Sequence, residues 1–263
     1  MAEGARTFQI AAELYDRFVG RYSRALSREL IAVVGVEPGR RALDVGCGPG
    51  GLAAELAAVV GPENVAAVDP SEPFVEACRS RIPGADVRLG KAEQLPFDDG
   101  SFDVVLSQLV LNFMTEARGG VGEMRRVAAA GGTVASCVWD YAGEMTLLRH
   151  FWDAAIAVDP AGASPRDEGV SMRWCSQDEL RTLWKSVGCT DVQTGALVVS
   201  APYEDFEDLW APLAGGIGPA GAYTASLDPA RQEALRAELH RRLGAPAGGF
   251  ELTARSWFVR GRR

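Results

Sequence analysis

The sequence predicts an α/β protein built on a doubly wound parallel sheet. Apolar runs that read as strands alternate with helical patterns across residues 42–139, the order that stacks helices on both faces of a parallel sheet. The stretch LDVGCGPGG at residues 43–51 reads as strand, tight glycine turn and helix. Its glycines let the backbone turn sharply and let a ligand come close to the main chain. A second strand, VAAVD, ends in Asp69, where an acidic side chain meets the two hydroxyls of a nucleotide ribose. Together the glycine turn and Asp69 imply a nucleotide-like cofactor.

Each element follows in turn. Residues 8–34 read as helical, because Leu14, Phe18, Tyr22, Leu26, Leu30 and Val33 recur at helical spacing, with Gly20 as a weak point. Within it, YDRFVGRYSRAL interleaves aromatics with arginines. It reads either as an amphipathic helix packed over the sheet edge or as a lid whose Tyr15, Arg21 and Tyr22 reach the cofactor. A core-only helix has no need of tyrosine hydroxyls, which favours the lid. Pro38-Gly39 turn the chain into strand one. Leu52, Leu56, Val59 and Val60 mark the first crossover helix, stopped by Gly61-Pro62.

Strand two covers 65–68. Ser71 then caps a helix with Glu72 in its first turn and Arg79 and Arg81 in its last. Strand three is 86–89. The run DDGS at 98–101 makes a turn, and strand four, 102–107, is near-continuously apolar, as a buried parallel strand should be. A helix over 116–129 carries Val121, Met124 and Val127, and Gly131-Gly132 lead into strand five at 133–139. The alternation breaks over 140–175. Ser176 and Glu179 then form a capping box for a helix with Leu180, Leu183, Trp184 and Val187 on one face. Residues 190–199 read as a strand. A second insertion at 202–249 holds a helix capped by Asp228-Pro229, and a last strand runs over 252–259. No repeat or linker divides the chain, so residues 1–263 read as a single domain, with a helical lid at 1–35 and substrate-side insertions at 140–175 and 202–249.

Charge and cysteine usage narrow the class. The 263 residues carry a net charge of −8, whereas nucleic-acid binding wants a basic footprint. The five cysteines (47, 78, 137, 175 and 189) form no C-x-x-C pair, and the two histidines, His150 and His240, add no metal-ligand spacing. Free, buried thiols in a reducing compartment are the simplest account. Neither a signal-peptide core nor a membrane-length apolar run is present, so a cytoplasmic location is expected, with no metal, nucleic-acid or membrane partner.

The glycine spacing alone leaves the cofactor open, since Gly46, Gly48 and Gly51 also satisfy a dinucleotide fingerprint. Asp44 sits two residues before the first glycine. A buried carboxylate there suits an amine-bearing ligand and not a pyrophosphate. Pro49 directly follows the second glycine, and none of the five tyrosines has a lysine four residues on, the usual short-chain reductase pairing.

LDVGCGPGG, VAAVDPS, GKAEQLPFDDGSFDVVLSQ and the glycine turn before Thr133 resemble the successive motifs of class I S-adenosylmethionine-dependent methyltransferases. Most of all they resemble the branch that includes the ubiquinone/menaquinone-biosynthesis enzymes. The resemblance covers residues 10–140 and implies a Rossmann-like sheet of seven strands whose last strand, 252–259, runs antiparallel. It implies S-adenosyl-L-methionine as cofactor and S-adenosyl-L-homocysteine as product. Asp44, Gly46, Cys47 and Gly48 would surround the methionine moiety. Asp69 would take the ribose hydroxyls, with Pro70 beside the adenosine. Ala92 and Glu93 would lie at the adenine, and Ser107 and Gln108 beneath the methyl group. Lys91 departs from the acidic residue often found before such a pair, and Val110, Leu111 and Asn112 stand where relatives often place histidine.

Methyl transfer is an in-line displacement in which alignment supplies much of the rate, and a base helps where the acceptor must lose a proton. His150 is the candidate base, its plain alternative being a packed or exposed residue of an amphipathic helix. Trp139, Tyr141, Trp152, Trp174 and Trp210 could wall an apolar pocket or belong to the core. The expected function is methyl transfer to a small, apolar or aromatic acceptor by a monomer or homodimer. A cofactor-binding protein without methylating activity and an NAD-type oxidoreductase are the alternatives.

Overall fold

The computed structural model describes residues 18–263; Tyr15 and the first half of the helix expected over 8–34 lie outside the described residues. In chain order the main elements are α1 (Ser23–Val34), β1 (Ala42–Val45), α2 (Gly51–Val60), β2 (Val65–Asp69), α3 (Glu72–Arg81), β3 (Asp86–Leu89) and β4 (Phe102–Gln108). They continue with α4 (Ala117–Val127), β5 (Ala128–Trp139), α5 (Thr146–Val158), α6 (Gln177–Ser186) and β6 (Thr190–Tyr203). Last come α7 (Phe206–Ala214), α8 (Gly218–Ala225), α9 (Pro229–Arg242) and β7 (Phe250–Arg262). The chain divides into two compact units. One comprises Arg24–Trp139, Arg173–Leu197 and Ser256–Arg263, and the other Met1–Ser23, Asp140–Met172 and Val198–Arg255.

The first unit holds the sheet, a seven-stranded array in the order β3-β2-β1-β4-β5-β7-β6. β1 pairs in parallel with β2 and β4, β2 with β3, and β4 with β5. β7 runs antiparallel to β5, as the resemblance implies. Strand order reverses between β1 and β4, the switch point outside which open α/β sheets bind ligands. Pairing places Asp44 opposite Leu106 and Leu106 opposite Ala135. Alternation then puts Asp44, Leu106, Gln108 and Cys137 on one face and Leu43, Val45, Val105 and Ser107 on the other.

The second of these faces is the apolar core, where Val45, Val105, Val134 and Val138 meet Val121 and Met124 of α4 and Leu180, Leu183 and Trp184 of α6. α4 contains three glycines, each costing about 1 kcal/mol relative to alanine in a helix interior. Tertiary packing outweighs this. Val121, Met124 and Val127 are fully buried, and each such side chain contributes about 1.5–3 kcal/mol. On the opposite face α1 is tied down through Ser27 Oγ, which donates to Gln108 Oε1 at 3.1 Å, and through Val33 O, which accepts from Arg260 Nη1 at 2.6 Å.

Three local readings change. β5 begins at Ala128, ahead of the glycine pair, because the ladder jumps from Phe102↔Ala128 to Val104↔Thr133 and bulges out the intervening residues; Gly131 takes a φ of +72° there. β6 and β7 extend past the expected 190–199 and 252–259. Ser71 is the N-cap of α3, but its hydroxyl makes no capping bond; the residue's N–H donates to the Asp69 carboxylate at 2.9 Å. The Ser176 cap forms as expected, with Ser176 Oγ accepting from Glu179 N, but the return bond is shifted by one residue: Glu179 Oε2 accepts from Cys175 N at 3.1 Å.

The second unit is mostly helical. α9 packs along α5. Phe151, Trp152 and Tyr223 make a cluster of tilted and edge-on rings. The Trp152 indole donates to Glu168 at 3.0 Å, and burial pushes the Glu168 carboxyl up to about 7. The Arg149 guanidinium forks onto Asp167 at 2.8 and 3.2 Å. Of the aromatics considered as pocket walls, Trp139, Tyr141, Trp152 and Trp210 are buried, while Trp174 is half-buried with a φ of +63°.

The Trp184 indole N–H donates to Val134 O at 3.0 Å inside the core. Trp184→Phe keeps an aromatic ring but deletes this donor, so it is expected to lower stability by about 1–3 kcal/mol. Urea unfolding should show a lower midpoint at an unchanged m-value.

Candidate functional site

The sheet unit gathers its candidate residues at the C-terminal ends of β1, β2 and β4. The glycine turn leaves β1 by giving two N–H groups to one acceptor: Gly46 N and Cys47 N donate to Val68 O at 2.8 and 3.0 Å. Gly46 adopts φ +77°, and a Cβ there would stand 2.5 Å from a Val110 methyl. Gly50, at φ +91°, would place a Cβ 2.9 Å from Cys78 Sγ. Both positions are thus closed to other residues by backbone and by neighbours. Gly48 has φ +51° but open space around it.

Asp69 ties the turn to β2. Its Oδ2 accepts from Gly48 N and its Oδ1 from Ser71 N, each at 2.9 Å. A carboxylate has about four acceptor sites, so each oxygen keeps capacity for a ribose hydroxyl. Pro70 follows, exposed.

Asp44 is 1% exposed. The carboxyl accepts the backbone N–H of Ala53, and its Oδ2 is buried with no hydrogen-bond partner among the described residues. Burial is the main cause that pushes its pKa up to about 7; Ala53 N–H lowers it and the Asp69 charge raises it further. An orphaned acceptor of this kind fits an ammonium donor and disfavours a phosphate, which would bring negative charge to the same place. The residues present therefore fit the methionine end of S-adenosylmethionine.

Ala92 and Glu93 form the tip of a turn in which Gln94 N donates to Lys91 O at 3.1 Å. Gly90 N donates to the main-chain carbonyl of Asp69 at 3.1 Å, so the turn starts from the same strand end that carries the ribose-side carboxylate. Glu93 Oε1 accepts from Glu116 N at 3.3 Å, at the start of α4. At the end of β4, Gln108 shares the face of Asp44. Ser107 lies on the core face, fully buried, its Oγ without a partner and its strand neighbour Ser136 in the same condition.

Other contributors escaped the sequence. Leu109 takes φ +61° directly after β4, a conformation that costs a non-glycine residue about 1–2 kcal/mol. Its N–H donates to Cys137 O at 2.9 Å. That bend delivers Val110 onto Gly46. Nothing in the local composition marks a leucine for a left-handed backbone. Asn112 donates through Nδ2 to Arg173 O and to Cys175 Sγ, while its Oδ1 is buried without a partner. No two of the five cysteines are joined in a disulfide, and Cys47 hydrogen-bonds with Cys78, which together with burial pushes its thiol well above the usual range.

Arg21, Tyr22 and His150 belong to the helical unit. Arg21 forks onto Asp208 at 3.0 and 3.1 Å, donates to Pro202 O, and lies 4.0 Å over the Tyr203 ring. Tyr22 is fully buried with its hydroxyl 3.1 Å from that of Tyr203. His150 is half-buried on α5. Burial lowers its pKa, Asp153 opposes the shift and Arg242 adds to it. Among the described residues no cluster of His, Cys, Asp or Glu is assembled that could hold a metal ion.

Gly46→Ala must adopt a left-handed backbone and displace Val110, whereas Gly48→Ala meets only the backbone cost of about 1–2 kcal/mol. Thermal unfolding should therefore show the larger fall in Tm for Gly46→Ala. Equal losses would mean that the Val110 contact carries no weight.

Comparison with known proteins bears on these motifs. A family description, methyltransferase domain, matches residues 43–136. The malonyl-[acyl-carrier protein] O-methyltransferase of Geobacter sulfurreducens is 30% identical over 191 residues, covering 71% of this chain and 69% of that protein. The ubiquinone/menaquinone biosynthesis C-methyltransferase UbiE of Burkholderia mallei is 36% identical over 149 residues, covering 52% and 61%. The chain spans only about a third of the length of several other curated relatives that it matches, 33–37%. Among solved structures, a geranyl diphosphate methyltransferase in complex with S-adenosylmethionine superposes with a TM-score of 0.52 at 16% identity, covering 91% of this chain and 85% of that one; this likeness is one of fold. With the glycine turn, the orphaned carboxyl and a match over two thirds of both chains, this chain belongs to the class I S-adenosylmethionine-dependent methyltransferases.

Proposed function

We propose that the protein transfers a methyl group from S-adenosylmethionine to a small, apolar or aromatic acceptor. The observation that carries the cofactor half is Asp44 Oδ2, a buried acceptor without a partner beside a glycine turn at the switch point of the sheet. A dinucleotide would bring a pyrophosphate to that turn, next to the Asp44 carboxyl, which disfavours the oxidoreductase alternative, whereas Asp69 suits the ribose of either cofactor.

The bound cofactor supplies an already activated sulfonium methyl. The chain's own work is to hold and align. Asp44 receives the ammonium end. Gly46 and Gly48 let the main chain approach the ligand. Asp69 presents its carboxylate to the ribose, and the Ala92 amide and Glu93 read the adenine edge. Gln108, fixed by Ser27, stands at the end of β4 on the Asp44 face. We assign residues 1–35 to a lid carrying Tyr15, Arg21 and Tyr22, and residues 140–175 and 202–249 to acceptor choice. His150 is proposed as the base: a lowered pKa keeps its ring neutral, the form that accepts a proton.

Net charge of −8 argues against a nucleic acid. A relative named for ubiquinone/menaquinone biosynthesis supports a small, apolar or aromatic acceptor, and membership of that branch is part of the proposal. A cytoplasmic monomer or homodimer is the matching assignment; among the described residues no helix is long and apolar enough to cross a membrane.

Calorimetric titration with S-adenosylhomocysteine tests the reading. Only ionised Asp44 pairs with the ligand's ammonium, and the carboxyl titrates at about 7. Affinity is therefore expected to rise about tenfold from pH 6 to pH 8. Asp44→Asn should bind at least tenfold more weakly at pH 8 and lose the pH dependence. The stability sign is opposite. A raised carboxyl pKa contributes stability below the ordinary carboxylate range that is lost as pH rises through about 7, so ligand-free Asp44→Asn should be the more stable form at pH 8. Absence of binding at any pH would sink the proposed function.

A further inference from the structure

Arg126, on α4 of the sheet unit, is a heavily committed side chain. A guanidinium has five N–H donors, and all five are spent. Nε and Nη2 donate to Glu123 Oε1 and Oε2 at 2.7 and 2.8 Å. Nη2 also donates to Leu95 O at 3.1 Å, and Nη1 to Phe97 O and Asp99 Oδ1 at 2.9 and 2.7 Å. Glu123 completes the clamp by accepting Leu95 N at 2.9 Å. Four of these six bonds reach one segment, residues 95–99, which has no strand or helix of its own.

That segment follows directly on the Ala92–Glu93 turn. The turn is held on its upstream side by Gly90 N to Asp69 O, and downstream first by Leu95, through both its N–H and its carbonyl. A short connection bonded to α4 at one end and to β2 at the other has little freedom left between them. The neighbouring Arg88 adds one bond to Pro96 O and lies 4.4 Å over the Phe97 ring, but it touches neither Leu95 nor α4 in any of these contacts.

We propose that Arg126, held in place by Glu123, is a positioning residue for adenine recognition: it fixes Leu95 so that the Ala92–Glu93 turn keeps the shape that reads the adenine edge. This rests on the cofactor reading above and adds which residue sets its base specificity. Arg126 does not touch the ligand; it acts through the main chain of 95–99. Lysine cannot replace it, because an ammonium has three donors and no planar fork.

The test compares two ligands that differ only at the base. S-adenosylhomocysteine carries the exocyclic amine and an accepting ring nitrogen; S-inosylhomocysteine has a carbonyl and a protonated nitrogen there. A site built to bond one edge rejects the other. The wild-type protein should prefer the adenosyl ligand by at least tenfold in Kd. Arg126→Lys and Arg126→Ala should weaken the adenosyl ligand about tenfold while leaving the inosyl ligand within about twofold, so that the preference collapses. Arg126→Lys keeps the charge and the pairing with Glu123, and it carries the test if the alanine variant fails to fold. Loss of both ligands in equal proportion, or of neither, overturns the proposal and leaves Arg126 a plain structural staple. Failure of the wild-type protein to bind either ligand would instead overturn the cofactor reading itself, and this inference with it.

Discussion

Burying an ionisable carboxyl costs several kcal/mol unless the charge is neutralised or paired, and Asp44 is buried at the end of β1 with one oxygen unpartnered. The free chain meets this cost by protonation, which the shift to about 7 expresses. A cationic ligand meets it by pairing. The surrounding structure holds the carboxyl where only such a group would satisfy it. Ala53 N–H, at the start of α2, engages the carboxyl, and β4 alongside brings Leu106 opposite it.

The glycine turn and the β2 carboxylate are mechanically one object. Val68 O receives two turn amides, Asp69 receives a third from Gly48 and a fourth from Ser71, and Asp69 O receives Gly90 N. Hence the parts expected to meet methionine, ribose and adenine share a single strand end. Arg126 and Glu123 extend the same logic to α4. The rigidity is supplied by hydrogen bonds to main chain, so side-chain identity matters most at the anchors and least along the connecting loop.

Much of this was legible. Strands β1, β2 and β4 and the switch-point site follow from apolar runs punctuated by glycine, because parallel strands buried on both faces have nowhere to place polar residues; β3, at the sheet edge and mostly exposed, follows from its place between turns. The extra strand residues before Thr133 were not, since Gly131-Gly132 signal a turn and a bulge uses the same residues. Ser71 was correctly placed as a helix start, but its hydroxyl makes no cap bond, and the contact that does form there, its N–H to the Asp69 carboxylate two residues back, is not marked in the sequence. Leu109 and Arg126 were invisible for a shared reason. A left-handed leucine and an arginine with five partners are both imposed by contacts distant in the chain. Arg21 and Tyr22 show the limit of composition: their partners in the helical unit, Asp208 and Tyr203, lie far along the sequence, and interleaved aromatics and arginines say nothing about which acceptor they find.

The most direct test of the account is a crystal structure with S-adenosylhomocysteine bound. The account predicts the ligand's ammonium within about 3 Å of Asp44 Oδ2, with the ribose hydroxyls on Asp69. An ammonium seated elsewhere, with Asp44 Oδ2 still facing no ligand donor, would contradict it.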